Sequence, residues 1–216
     1  SVSQRRVEAA FNMDGVRGYM RVTQRHPSEP AVISYDLFGL ENNIKLVTIR
    51  ELPLATRTSP DNSRLCSTLG AVFDPRRVMS FTSSSNAGPT GADYRPTIDL
   101  IPVGNLSAKH GPLSVIDSEY EDHYMGEFTD HNLQLYGTHS ISGRSILIHK
   151  NNGEPWVCAT LQHLDRPVHI AVASFYYPVV GQIVFQQPSN DPHAETSVLV
   201  EVYNPNGVDK PSDQLA

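Results

Sequence analysis

The sequence predicts an all-β fold, built of short antiparallel strands, on three observations. Its 216 residues include 16 Pro and 14 Gly, which interrupt the chain too often for long helices. Apolar and polar residues alternate over short runs, with turn signals between them. At 39% hydrophobic and 19% charged residues, the balance is that of a folded domain.

The first runs, residues 7–11, 18–24, 32–38 and 45–49, read as an antiparallel meander. Asp14-Gly15 between the first two is a hairpin signal. His26-Pro27-Ser28-Glu29-Pro30 is a turn, because proline cannot donate to a ladder. Residues 52–97 are rich in Ser, Thr, Pro, Gly and Asn with little periodicity, so they read as one long irregular loop, either functional or disordered. Strand-like text resumes at 98–106, 113–116, 133–136 and 145–149, with an acidic connection at 117–130 among them, and 154–160 closes the domain. The most apolar stretch, 168–185, is interrupted by His169, Ser174, Pro178, Gly181 and Gln182. It therefore reads as two buried strands and a turn, and no membrane span is expected.

An internal echo follows. Gly15-Val16-Arg17-Gly18-Tyr19-Met20-Arg21-Val22-Thr23-Gln24 reappears as Pro178-Val179-Val180-Gly181-Gln182-Ile183-Val184-Phe185-Gln186-Gln187. A Pro-containing turn and a further strand come after each copy, at 35–38 and at 200–203. The organisation expected is thus one complete domain over 1–161 and, over 162–216, a linker with the first strands of a second, incomplete repeat.

The formal net charge of −6 and the lack of any Lys/Arg cluster argue against a nucleic-acid partner. Cys66 and Cys158 are the only cysteines, which by themselves allow one disulfide or two free thiols. Asn105-Leu106-Ser107 is a glycosylation sequon. The histidines His110, His123, His131 and His139, with Glu121, Asp122 and Asp130 nearby, admit a surface metal site. They show no paired H-x-H or H-x-x-x-H spacing, so a solvated acidic loop is the reading preferred. Arg144 is expected to satisfy loop carbonyls, and Trp156 to belong to the core.

Several separated motifs resemble those of copper/zinc superoxide dismutases, in the family's order. Gly143-Arg144-Ser145-Ile146-Leu147-Ile148-His149-Lys150 is similar to the family's G-R-T-L-V-V-H-E. Cys66-Ser67-Thr68-Leu69-Gly70-Ala71-Val72-Phe73-Asp74-Pro75 is similar to C-T-S-A-G-P-H-F-N-P, and Pro102-Val103-Gly104-Asn105 to D-L-G-N. The resemblance spans about residues 6–160. It implies an eight-stranded Greek-key barrel with a disulfide between Cys66 and Cys158 that ties the long loop to the last strand.

The same resemblance implies a lost metal site. The family's H-V-H copper pair falls on Thr48-Ile49-Arg50, its bridging histidine on Val72, and the zinc-binding aspartate of D-L-G-N on Pro102. Only His149 stays at a ligand position, and no histidine lies between His26 and His110 to supply zinc. Threonine is a weak neutral donor to copper and arginine is a permanent cation, so neither replaces imidazole. The superoxide-guiding arginine of the family is replaced by Pro155.

The function expected is a non-catalytic, extracellular and secreted structural or protein-interaction domain without a cofactor, self-associating or joining other repeats of a parent chain, as the tandem copper-only superoxide dismutase repeat proteins do. The alternatives are a haemolymph-type metal-binding or transport protein and, last, a copper-only dismutase.

Overall fold

The computed structural model describes residues 4–40, 46–54, 62–78, 97–113, 122–164, 168–189, 193 and 196–204. Two compact units divide the chain, Ser1–Asp165 and Arg166–Ala216.

In the first unit the alternation in the opening residues becomes β1 (Arg5–Met13), β2 (Val16–Gln24) and β3 (Ala31–Phe38), an antiparallel meander. Asp14 and Gly15 form the two-residue turn, both at positive φ (54° and 84°), the backbone that a tight hairpin of this twist requires. Every second residue faces inward: Val7, Ala9 and Phe11 on β1, and Val16, Met20 and Val22 on β2. Gly18 interrupts that row at φ 123°, where a Cβ would lie 2.0 Å from the carbonyl oxygen of Asp36, so no side chain fits there.

β4 (Val47–Arg50), β6 (Ser145–His149) and β7 (Pro155–His163) extend the sheet beyond β1, and β5 (His123–Asp130) extends it beyond β3. The order is β4-β6-β7-β1-β2-β3-β5, so the chain crosses from β3 at one side to β4 at the far edge and back to β5 beside β3. These long crossings make the curled Greek-key sheet. Within the curl, Ile33, Leu37, Ile49, Ile146, Ile148 and Leu161 are all 0% exposed. Each contributes roughly 1.5–3 kcal/mol by burial. Trp156 joins this core. Seven of the eight expected strands lie among the described residues of this unit.

The structure departs from the sequence pattern at four places. Residues 98–106 are not a strand: they form a 3-10 turn, Ile98–Leu100, and the start of helix α2 (Leu106–His110). Asn105 Oδ1 accepts from Ala108 N at 3.2 Å and so caps α2, while Gly111 at φ 84° ends it. Residues 133–136 form no strand: Gln134 makes an isolated bridge with Ser140, while Leu133 N donates to Asp130 Oδ1 and Leu135 N to Gln24 Oε1. The acidic connection contains β5, which pairs with β3 along its whole length. Its alternation is hidden in the sequence because Asp130, at the last inward position, is charged. Finally, the loop at 52–97 contains helix α1 (Asn62–Ser67). Of the run at 113–116, only residue 113 is among the described residues.

The second unit is a three-stranded antiparallel sheet, β10-β9-β8, built from β8 (Val168–Phe175), β9 (Val180–Pro188) and β10 (Ser197–Tyr203). Residues 168–185 do give two strands and a turn. They are not the buried strands expected, since Val172 is 54% and Phe185 38% exposed.

Candidate functional site

β4 splits its residues by the two-residue period: Val47 and Ile49 enter the core, and Thr48 and Arg50 take the opposite face. β6 runs antiparallel beside it with Leu147 paired to Thr48, and the same two-residue period sets His149 on that face. There Thr48 Oγ1 stands 3.5 Å from His149 Nε2. The segment carrying Val72 closes the third side through an isolated bridge between Arg50 and Val72. Thr48, Arg50, Val72 and His149 thus occupy one place in the fold.

Backbone contacts of three segments hold it. Ile49 N donates to Gly104 O at 2.7 Å, Phe73 N to Ile49 O at 2.9 Å and Gly104 N to Phe73 O at 2.8 Å. At Gly104 a Cβ would sit 2.5 Å from the Ile49 carbonyl oxygen, so glycine alone permits the approach. Pro102 precedes it in the same turn and accepts from Asn105 N.

The polar groups at the site are partly engaged. His149 Nδ1–H donates to the Gly153 carbonyl at 3.0 Å, which leaves Nε2 as the ring's lone pair, facing Thr48. Burial pushes the imidazole pKa below its ordinary value; the Gly153 carbonyl opposes this and the nearby Arg50 charge adds to it. Arg50 Nη2 donates to the Gly70 carbonyl at 2.6 Å, while its Nε is buried without a hydrogen-bond partner. Burial lowers the guanidinium pKa and Glu51 works against that shift. The group remains a cation at any ordinary pH.

Arg144 serves as expected: Nε donates to Ser140 O and Nη1 to Glu51 O, both at 3.0 Å, and its guanidinium lies over the Phe73 ring. Cys66 on α1 and Cys158 on β7 form a disulfide with Cα atoms 5.7 Å apart, tying the long loop to the last strand of the unit.

The histidines of residues 110–139 are not brought together. His110 Nε2 meets Asp130 Oδ2 at 2.8 Å and packs on Phe128, in the wall of a cavity of about 170 Å³. His123 pairs with Asp36 and stacks on Phe38, while His131 and His139 are exposed in turns. Glu121 lies outside the described residues. Among the described residues no group of three or more His, Cys, Asp or Glu is placed to hold a metal ion.

Asp130 itself corrects the solvated-loop reading. Its side chain is 0% exposed and accepts from Lys109, equally buried, and from His110, Asn132 N and Leu133 N. Burial alone would raise its carboxyl pKa, but the Lys109 charge and the donors around it bring it below the ordinary value. The signal in sequence was faint: an inward position at the end of an alternating strand.

The first unit is a copper/zinc superoxide dismutase-like β-barrel. Copper/zinc superoxide dismutases of two fungi are similar in sequence: that of Cordyceps militaris is 25% identical over 135 residues, and that of Neurospora crassa 26% identical over 134, each match covering 62% of this chain and 70% of the relative. Among solved structures, superoxide dismutase 5 of Candida albicans in its Cu(II) form superposes with a TM-score of 0.56 at 24% identity, covering 77% of this chain and 95% of that one. No protein-family model matches the chain.

The residues that the resemblance sets at the family's copper position make a poor donor set for copper. Of Thr48, Arg50, Val72 and His149, only His149 carries an imidazole, and Arg50 adds a positive charge near it.

Proposed function

We propose that this chain is a non-catalytic extracellular module for structure or protein interaction, built on a superoxide dismutase-like barrel that has lost its copper and zinc ligands. The observation that carries the reading is Arg50, a guanidinium on the same strand face as Thr48 and near enough to His149, the one remaining imidazole, for its charge to push that pKa down. Redox cycling of superoxide needs a metal that changes oxidation state, and neither guanidinium, hydroxyl nor isopropyl groups can hold one. Pro102 likewise offers no donor at the zinc-ligand position.

The disulfide supports an oxidising, extracellular setting, where such bonds form and persist. The sequon at Asn105 agrees with that setting, although Asn105 and Ser107 already serve the fold: the first caps α2 and the second accepts from Val47 N at 2.7 Å. Residues 162–216 are then the opening strands of a second repeat, and the role of the whole lies in what its surfaces bind. The test is a superoxide-consumption assay on protein incubated with copper and zinc salts and then desalted. The rate expected is that of buffer alone; metal-dependent turnover that survives desalting contradicts the reading.

A further inference from the structure

The two halves of the internal echo agree in register as well as in sequence. In the first unit Ala9, Met20 and Tyr35 pair across three strands and are buried. At the equivalent level of the second sheet stand Ala173, Ile183 and Val200. One level along, Phe11, Gly18 and Leu37 correspond to Phe175, Gly181 and Val202, and both glycines have positive φ, 123° and 139°. In the other direction Val7, Val22 and Ile33 correspond to Ala171, Phe185 and Val198. The second sheet therefore reproduces the core face of the first, row by row. Tyr35 is 6% exposed and Ile33 0%, yet Val200 is 57% and Val198 45% exposed. On the reverse face Val184 is 3% exposed while Val172 beside it is 54% exposed.

We propose that this face is covered by the same face of a second copy of the chain, giving a symmetric two-sheet sandwich. The inference rests on reading the protein as an interaction module, and it names the surface and the partner.

Three features of the face select a second copy. It has no charged side chain at any of the three levels, so two copies meet without like-charge repulsion or a buried unpaired charge. Its outer strands are unequal: β8 presents Ala171 and Ala173, and β10 presents Val198 and Val200. A two-fold axis parallel to β9 sets the β8 of one copy opposite the β10 of the other, so at two of the three levels a small residue meets a larger one across sheets about 10 Å apart, and at the third Phe175 meets Val202. Ala173 and Val200 both pair with Ile183, so that axis also matches them in height. Finally, the open apolar face is exposed to water, and isologous pairing removes that exposure with one contact.

The test is sedimentation of the full chain over a concentration series. The mass is expected to rise from 23.9 kDa to double that value. Val200→Lys should hold the single-chain mass at concentrations where Gln186→Lys, on the reverse face, still doubles. Should Val200→Lys perturb the circular dichroism, the isosteric Val200→Thr replaces it and must shift the dimer to higher concentration. Amides of β8–β10 should also exchange more slowly at high than at low concentration. A single-chain mass throughout overturns the proposal, and so does a dimer indifferent to both Val200→Lys and Phe185→Lys. Metal analysis of the same samples separates the two readings: a metal-free monomer contradicts only this dimer, and a copper-loaded dimer contradicts only the proposed function.

Discussion

At position 50 a guanidinium stands where the resemblance puts an imidazole, and the two groups differ in sign as well as in shape. If Thr48, Arg50, Val72 and His149 do mark a former copper site, restoring imidazoles should restore binding. The Thr48→His/Arg50→His/Val72→His chain is expected to take up one Cu(II) per molecule, seen in its visible and electron paramagnetic resonance spectra, and the parent chain none. His149 gives a pH signature. Its folded pKa is lowered, so below the ordinary value of about 6.5 the unfolded chain binds a proton that the folded chain refuses. Its contribution to stability is present above that pH and is lost as the pH falls towards the folded pKa. Urea titrations from pH 7 to 5 should show stability falling, with a shallower fall for His149→Gln. Asp130 acts in a lower window, its stabilisation being present above about pH 3.9 and lost as pH falls through its depressed folded pKa. Removing it leaves Lys109 buried and unpaired, so Asp130→Ala should cost about 3–5 kcal/mol in urea denaturation.

Elements were legible in the sequence where pattern and partner coincide. β1, β2 and β3 alternate cleanly because each pairs with a neighbour along its length and buries one face. β6 was legible to the residue, as a short apolar run ending in His149. The errors share one cause, which is that tertiary partners are invisible to a local pattern. Leu133 and Leu135 alternate like a strand, but their amides donate to the Asp130 and Gln24 side chains and not to a ladder. β5 looks like an acidic loop because its last inward residue is a carboxylate whose cation, Lys109, lies 21 residues upstream. The site was legible only through the family resemblance, since nothing in Thr48-Ile49-Arg50 alone suggests a metal position. The disulfide was likewise an implication of resemblance. It closes a separation of 92 residues, for which chain entropy predicts a contribution of about 4–5 kcal/mol. Urea unfolding with and without reductant should differ by that amount, and a difference near zero would show that the long loop is ordered without it.

On the scale of the molecule, the first unit has a closed core, whereas the second exposes a face that copies the first unit's core-facing rows. That contrast predicts that a chain ending at Asp165 keeps a cooperative melt near that of the parent. The central claim, that a dismutase-like barrel here holds no dismutase metal, meets its most direct test in elemental analysis of protein purified without chelator and dialysed against metal-free buffer. The account predicts no stoichiometric copper or zinc. One tightly bound copper per chain would contradict it.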